Sequence, residues 1–329
     1  MDFGLSPIHP IQDRTGTGNR FYVLREDLLP FSLGGNKVRI AEEFFADMRQ
    51  KGCDVMIAYG NVKSNICRVI ANRCYRENIP CYIICTMEEG DDVEQTSNSR
   101  LMQLLNASLV LCERTKIAET VENLIKTLEE QGHKPYYIYG NKYGAGNEGT
   151  PARAYAKVFS KIQQYEKEQN CTFDYIFHAS GTGSTQAGLT CGTIVSSCTT
   201  PIMGVLISSR TYERAWSIIK EGMTSWFEEQ KIEWKDDYED RIHLLAEYTK
   251  GGYGKYDSQI VDCISQEFAV NSLPLDPVYT GKAFLGMLQY LKEQGIRDKN
   301  ILFIHTGGSP LFYDALQKGV IDGKEREQR

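Results

Sequence analysis

Lys37 is the first residue of this chain whose position suggests covalent chemistry. Gly34, Gly35 and Asn36 precede it and allow a tight turn into a helix, and apolar residues repeat at helical spacing over 38–48. The helix dipole disfavours a cation at a helix start, so we expect a lowered pKa for Lys37, and a neutral amine can form an imine. Taken alone, the segment is better explained as a solvated lysine on an amphipathic helix.

A second segment, HASGTGSTQAGL at 178–189, has the composition of an anion site. A predicted strand ends at Ala179, a loop of Gly, Ser and Thr follows, and a helix is predicted from about Thr185. Backbone N–H groups, hydroxyls and a helix start then converge, as phosphate binding requires. The segment lacks the Gly-Lys-Ser/Thr of a P-loop, and Gln186 occupies the third glycine position of a dinucleotide fingerprint.

Three further segments carry polar residues near predicted strand ends or helix starts. They are GNVKSNICR, with Ser64 and Asn65, then DPVYTGKAF, with Tyr279 and Thr280, and HTGGSP, with Thr306. Ser64 and Asn65 are also ordinary helix-capping residues. Except for Tyr279 and Thr280, these residues fall where open α/β sheets bind their ligands.

Short apolar runs alternate with longer amphipathic stretches along the chain. Strands that are apolar throughout and separated by helices indicate parallel sheets covered on both faces. We therefore predict the α/β class, with two three-layer αβα domains whose sheets are mostly parallel. The glycine-rich connector at 139–151 places a smaller domain at 51–147 and a larger one at 1–50 plus 148–329. The predicted strands are Asp54–Gly60, Pro80–Thr86, Ala107–Glu113, Tyr136–Tyr139, Phe173–Ala179, Pro201–Ile207 and Asn300–Thr306.

Composition narrows the classes of function. The 329 residues carry a net charge of −6 with no Lys/Arg stripe, so we expect no nucleic-acid partner. No secretory leader and no long apolar run are visible, which predicts a cytoplasmic protein without a membrane partner. The ten cysteines have no C-x-x-C spacing and are expected as reduced thiols, and the five scattered histidines predict no metal site.

Taken together, the segments GGNK-x-R, SN, TGSTQAG, PVY-x-GKA and HTGG resemble, in this order, the 1-aminocyclopropane-1-carboxylate deaminase / D-cysteine desulfhydrase family. Its members are fold-type-II enzymes that depend on pyridoxal 5′-phosphate (PLP), related more distantly to the tryptophan synthase β chain. The matching segments run from about Arg25 to Gly308. The resemblance implies a PLP enzyme with the cofactor in a cleft between two domains, a small amino acid as substrate, and a homodimer.

The resemblance also implies a role for each matched residue. Lys37 would hold PLP as a Schiff base and later move protons at the substrate α-carbon. Ser64 would meet the substrate carboxylate and assist proton transfer, and Tyr279 and Tyr253 would be hydroxyl donors facing the substrate. The remaining residues would bind the cofactor: Asn65 at the ring hydroxyl, Thr182, Gly183, Ser184 and Thr185 at the phosphate, and Thr280 and Thr306 near the pyridine nitrogen.

One position favours a particular reaction within the family. The deaminases that open a cyclopropane ring carry Glu at the position of Thr280, whereas D-cysteine desulfhydrases carry Thr. A carboxylate keeps the pyridinium protonated, whereas a hydroxyl tolerates a neutral ring, which suffices to expel a good leaving group. We therefore expect α,β-elimination, in which an aminoacrylate hydrolyses to a 2-oxo acid and ammonia.

Three departures from the family fall on the substrate side, and one of them is the connector at 139–151, where relatives have a Gly-Gly-Ser stretch and a Gly-Tyr pair. Ile66 stands where the family usually has His or Gln, and Lys63 stands where it usually has Gln. We therefore hypothesise a substrate other than D-cysteine or the cyclopropane amino acid. The hypothesis is wrong if D-cysteine is turned over with ordinary efficiency and preferred to other amino acids.

Other functions remain open at this point. A racemase or a β-replacement synthase would share Lys37 and diverge only at a later step, so the sequence does not separate them. A catalytically silent binding protein would have no need of the Lys37 amine. A nucleotide-binding oxidoreductase is disfavoured because neither glycine fingerprint is complete.

Overall fold

The computed structural model describes residues 3–86 and 96–321, which form two compact units. The larger unit comprises Met1–Asn36 and Ala152–Arg329, and the smaller unit is the continuous stretch Lys37–Pro151. In the described residues the strands are β1 (Ile8–Ile11), β2 (Arg20–Arg25), β3 (Val55–Gly60), β4 (Cys81–Thr86), β5 (Ser108–Cys112), β6 (Pro135–Tyr137), β7 (Tyr175–Ser180), β8 (Ile202–Leu206), β9 (His243–Leu245) and β10 (Asn300–His305). The helices are α1 (Asn36–Gln50), α2 (Asn65–Glu77), α3 (Ser97–Leu104), α4 (Ile117–Glu130), α5 (Ala152–Gln169), α6 (Ser184–Val195), α7 (Tyr212–Glu229), α8 (Ser258–Asn271), α9 (Thr280–Glu293) and α10 (Ser309–Gln317).

A six-stranded sheet in the order β1-β2-β10-β7-β8-β9 forms the centre of the larger unit. Only β1 runs antiparallel to its neighbour, whereas the other pairs are parallel. The central strand β10 is fully buried over 301–304. Its run of apolar residues fits a strand that is covered on both faces.

The two faces of this sheet are covered by different helices. Val205 belongs to a cluster with apolar residues of α8, α9 and α10. The next residue, Leu206, belongs to a cluster with residues of α5, α6 and α7. Because successive strand side chains point to opposite faces, the larger unit is a three-layer αβα structure, as predicted.

The smaller unit has a parallel four-stranded sheet in the order β5-β4-β3-β6. Val55 and Ile57 of β3 pack with Val121 and Leu128 of α4 on one face. Helix α2 contacts β3 and β4 and packs beside α3. The mostly parallel α/β class is therefore confirmed in both units.

Helix α1 lies within the smaller compact unit, although the predicted small domain begins only at residue 51. Glu42 forms an ion pair of 3.1 Å with Arg73 of α2. Asp47, at the other end of α1, accepts a 2.7 Å hydrogen bond from the hydroxyl of Tyr136. These contacts hold α1 to the smaller sheet, whereas the sequence pattern located a boundary only at its glycine-rich connector.

The predicted strands are present with small shifts at their ends. The strand predicted at Tyr136–Tyr139 ends at Tyr137, because Gly140 N–H donates to the Tyr137 carbonyl and closes a turn. All ten cysteines are free thiols, as predicted. Among the described residues, no helix has the length and apolar character that crossing a membrane requires.

Candidate active site

Lys37 is the second residue of α1 in the structure, which confirms the predicted position at a helix start. Its side chain is only partly accessible, and the atoms packed around its amine remove water from it. This desolvation lowers the pKa of Lys37 to about 8. The lowered pKa is confirmed, and its cause is burial rather than the helix dipole on which the sequence argument relied.

The turn before Lys37 is held against the end of strand β10. Asn36 N–H donates to the Thr306 carbonyl at 3.0 Å. A Cβ atom on Gly35 would lie 3.0 Å from that carbonyl oxygen, and one on Gly307 would lie 2.5 Å from the Gly35 Cα. The two backbones can approach this closely only because both positions are glycine. The contact fixes the turn that ends at Asn36, the residue directly before Lys37.

The loop between β7 and α6 presents an open helix start. Gly183 precedes α6 with φ +81°, and no side chain caps the helix. The hydroxyl oxygens of Thr182 and Ser184 lie 3.3 Å apart, and the Thr185 hydroxyl accepts a 2.9 Å hydrogen bond from the side chain of Asn36. Free N–H groups and hydroxyls at a helix start form a site for an anionic oxygen.

Ser64 and Asn65 begin helix α2 in the smaller unit. Ser64 is the N-cap, and its hydroxyl oxygen accepts the Cys67 N–H at 3.4 Å. A hydroxyl that caps through a lone pair keeps its proton for another partner. The capping role therefore leaves Ser64 able to donate a hydrogen bond.

The amide of Asn65 has a fixed orientation. Its Oδ1 accepts hydrogen bonds from Asn98 Nδ2 at 3.1 Å and from Arg68 Nη2 at 3.4 Å. Asn98 and Arg68 are almost completely buried, and burial lowers the pKa of Arg68 to about 10. With its oxygen engaged, Asn65 offers its NH₂ group, which suits an acceptor such as an ionised ring hydroxyl.

Tyr253 and Tyr279 form a pair in the larger unit. Their hydroxyl oxygens lie 2.9 Å apart, and their rings meet edge to face at 5.8 Å. A Cβ atom on Gly181 would lie 3.9 Å from Cε1 of Tyr279, so this ring lies beside the loop that precedes α6. The structure therefore brings the two predicted tyrosines together and places one of them at the anion loop.

Thr280 is fully buried in a network around Asp276. Its hydroxyl donates to Asp276 Oδ2 at 2.8 Å and accepts the Asp276 N–H at 2.8 Å. Burial raises the pKa of Asp276 to about 6, although N–H groups of residues 278–280 donate to its carboxylate. The only proton of the Thr280 hydroxyl is thus used, and the oxygen can offer a further partner only a lone pair.

Some of the predicted site residues lie in the larger unit and the others lie in the smaller unit. In the larger unit the loops after β7 and β10 lie at one edge of the sheet, because these parallel strands are hydrogen-bonded neighbours. In the smaller unit Lys37 begins α1, while Ser64 and Asn65 begin α2. Lys63 and Ile66, which depart from the family pattern, are both half-buried beside that helix start.

Sequence reasoning missed the buried polar residues that support this site. Arg68, Asn98, Asp276 and Lys282 are each at most 1% exposed. The sequence signal that could have identified them is a charged residue among apolar neighbours, as in CRVIA around Arg68 and KAF at Lys282. A buried charge is costly unless other groups bind it, so such residues indicate a structural or functional task.

The residues that the resemblance assigns to PLP fit that cofactor. The uncapped start of α6 suits its phosphate, and the desolvated amine of Lys37 suits a covalent bond to its aldehyde. The oriented amide of Asn65 suits its ring hydroxyl. Among residues 3–86 and 96–321, no group of three or more His, Cys, Asp or Glu is arranged to hold a metal.

Comparisons with known proteins agree with these features. A family model described as pyridoxal-phosphate dependent enzyme matches residues 2–307. A Pyrococcus abyssi protein provisionally named 1-aminocyclopropane-1-carboxylate deaminase is 32% identical over 88% of this chain and 84% of its own length. The D-cysteine desulfhydrase of Yersinia enterocolitica is 29% identical over 90% of this chain and 88% of its own length. The crystal structure of an ACC deaminase homologue superposes with a TM-score of 0.83 at 26% identity, over 96% of this chain and 93% of the other.

Proposed function

Because the chain belongs to the family of pyridoxal-phosphate dependent enzymes, we propose that it removes the β-substituent and the amino group of a small amino acid, releasing a 2-oxo acid and ammonia. The names of its relatives, 1-aminocyclopropane-1-carboxylate deaminase and D-cysteine desulfhydrase, support this class of reaction. The observation that carries the proposal is the desolvated amine of Lys37 at the start of α1.

The proposed cofactor contacts follow from the donors that each segment offers. Lys37 binds PLP covalently, Asn65 donates to its ring hydroxyl, and Thr306 lies near its pyridine nitrogen. The phosphate is bound by Thr182, Gly183, Ser184 and Thr185, where the start of α6 is open. Thr280 is proposed near the ring as well, where its hydroxyl could act only as an acceptor. When bound, PLP withdraws electrons from the α-carbon of an amino acid.

The proposed catalytic residues bind the substrate or move its protons. Burial lowers the pKa of Lys37 to about 8, which favours the neutral form of its amine, and this amine would accept the α-proton when it is not bound to the cofactor. Ser64 keeps a hydroxyl proton for the substrate carboxylate. The hydroxyls of Tyr253 and Tyr279 are hydrogen-bonded to each other, and we propose that this pair faces the substrate.

The location and assembly of the protein are part of the proposal. We propose a cytoplasmic homodimer without nucleic-acid or membrane partners, supported by the resemblance and by the net charge of −6. Light scattering should then give twice the chain mass of 37.3 kDa. The location of PLP between two domains, and the domain ranges 51–147 and 1–50 plus 148–329, stay predictions.

The visible absorption spectrum of the purified protein with PLP tests the proposal. Wild type should show an absorption band that borohydride removes, and mass spectrometry should find the reduced cofactor on the peptide containing Lys37. Lys37→Ala should lack the band, whereas Lys51→Ala, which changes an exposed lysine just after the opposite end of α1, should keep it. Attachment at another lysine, or no band at all, contradicts the proposal.

A screen of D- and L-amino acids for 2-oxo acid release then identifies the substrate. Half-buried Lys63 and Ile66 motivate the expectation that D-cysteine is not the preferred substrate. Preferred turnover of D-cysteine at ordinary efficiency would refute that expectation without affecting the reaction class. Analysis of all products separates elimination from racemisation or β-replacement, which return an amino acid.

A further inference from the structure

Lys282 is a buried lysine in the first turn of helix α9. The residue is 1% exposed, and the two residues that follow it in the helix, Ala283 and Phe284, are buried apolar residues. A cation near a helix start opposes the helix dipole, and burial adds a cost of desolvation. Burial lowers the pKa of Lys282 to about 8, while the charges of Asp276 and Asp257 act in the opposite direction. The free-energy cost of burying a cation here must be offset by specific interactions of the ammonium group.

The Lys282 ammonium binds the loop that carries Tyr253. Its Nζ donates to the Gly252 carbonyl at 2.5 Å. Gly252 has φ +96°, and a Cβ atom there would lie 2.5 Å from Ser209 Oγ, which accepts the N–H of Tyr253 at 3.2 Å. Backbone φ is positive at Lys250, Gly251, Gly252 and Gly254. A loop this rich in glycine has little conformational preference of its own, so external hydrogen bonds must hold it.

The same turn of α9 also carries Tyr279. Tyr279 precedes the helix, and its N–H donates to Asp276 Oδ1 at 2.8 Å. Three residues later, Lys282 reaches the carbonyl directly before Tyr253. The start of α9 therefore holds both tyrosines, whose hydroxyls lie 2.9 Å apart. Tyr279 is held because it directly precedes the helix, and Tyr253 is held through the Lys282 ammonium group.

We propose that Lys282 is a positioning residue that fixes the hydroxyl of Tyr253 against Tyr279 by binding the Gly252 carbonyl. The proposal rests on the proposed function, in which both tyrosines face the substrate. Buried as it is, the ammonium acts through the Tyr253 loop. Lys282 would thus determine how precisely the two tyrosine hydroxyls are positioned, and it would not itself transfer a proton.

The first test measures the order of the loop without any substrate. In Lys282→Met, which keeps the length of the side chain and removes its donors, tryptic cleavage after Lys250 or Lys255 should become about tenfold faster, since a charged hydrogen bond is lost. Leu291→Ala controls for general loss of stability, because it removes a buried side chain two turns further along α9. Equal cleavage of wild type and Lys282→Met overturns the proposal.

The second test asks whether Lys282 acts through Tyr253. With the amino acid that gives most 2-oxo acid in the screen, Lys282→Met should lower kcat about tenfold, and Tyr253→Phe should lower it as well. In the Tyr253→Phe background, Lys282→Met should add less than a twofold loss. If the fold losses of kcat in the two single variants multiply in the double variant, Lys282 acts independently of Tyr253 and the proposal is overturned.

The two proposals fail in different ways. If wild type binds no PLP at Lys37, the proposed function is wrong, and the proteolysis experiment still decides whether Lys282 holds the loop. If the PLP band is intact and the loop of Lys282→Met is as protected as in wild type, only the role of Lys282 is wrong.

Discussion

Among single residues, Asp276 illustrates how the candidate site depends on buried polar groups. Its carboxylate accepts N–H groups of Val278 and Tyr279 at 2.9 and 2.8 Å and the hydroxyl of Thr280 at 2.8 Å. A Cβ atom on Gly308 would lie 2.2 Å from Asp276 Oδ2, so the loop after β10 packs directly on this group. Asp276 thereby connects the segment that contains Tyr279 to the loop that follows β10.

The raised pKa of Asp276 predicts a particular pH dependence of stability. The folded protein has a pKa of about 6 at this group, above the ordinary value of 3.8, so between these values it binds the proton more readily than the unfolded chain. Stability from this group should fall as pH rises through that window, by on the order of 3 kcal/mol in total. Asp276→Asn should flatten this fall in urea unfolding of the PLP-free protein between pH 4 and 7.

The control for this experiment is Asp236→Asn, which removes one negative charge from an exposed position and should keep the wild-type pH profile. An unchanged profile in Asp276→Asn would assign the titration to another group.

Among the elements, helix α6 is placed by glycines that face α5. A Cβ atom on Gly188 would lie 2.3 Å from the Ala152 carbonyl oxygen, and one on Gly192 would lie 2.6 Å from Cβ of Phe159. Residues four apart lie on one face of a helix, so the two glycines let the helices approach closely. This packing determines where the open N-terminus of α6, the proposed phosphate site, points.

Gly188→Ala should therefore destabilise the protein although alanine favours helices more than glycine. The added methyl group would lie 2.3 Å from a backbone oxygen, so α6 must shift, and we expect a cost near the upper end of about 1–3 kcal/mol against a gain in helix propensity of about 1 kcal/mol. Urea unfolding and a PLP titration should show lower stability and weaker binding. Gly286→Ala is the comparison for cofactor binding: its methyl would lie 2.9 Å from Cγ1 of Val205, so this variant should also lose stability, and an equal loss of PLP binding would contradict the argument.

At the scale of the whole molecule, the chain forms two compact units that differ in how they are assembled from the sequence. The smaller unit is one continuous stretch with its own sheet and core, whereas the larger unit is assembled from two separate stretches. Helix α1, which begins with the residues around Lys37, contributes Phe45 beneath Arg73 and the ion pair between Glu42 and Arg73. A continuous unit with its own core meets the conditions for independent folding.

A fragment of residues 36–151 should fold by itself. We expect a cooperative thermal transition by circular dichroism, because the fragment keeps the sheet, the core and the contacts of α1. The matched control is a fragment of residues 51–147, the range predicted from sequence, which lacks α1 and should unfold at a lower temperature or without cooperativity. If the two fragments are equally stable, α1 is not an integral part of the smaller unit.

Local patterns in the sequence predicted much of the fold but missed particular strands. Strands β3, β4, β7, β8 and β10 are continuous apolar runs and were recognisable as such. Strands β1 and β9 have four and three residues, and β2 begins and ends with arginine. Strand β2 pairs with β10 and β9 pairs with β8, both far away in the chain, whereas β1 pairs with the neighbouring β2. These partners supply the apolar environment that the residues of the three strands do not indicate.

By itself the sequence determined the α/β class, the helix start at Lys37 and the order of segments that identifies a PLP enzyme, because periodicity and short motifs are local properties of a chain. Only the tertiary structure decided which polar groups are buried, as with Arg68, Lys282 and Asp276. It also decided that desolvation lowers the pKa of Lys37, and that the Thr280 hydroxyl binds Asp276. Burial and hydrogen bonding depend on atoms brought together from distant segments, and no local pattern contains them.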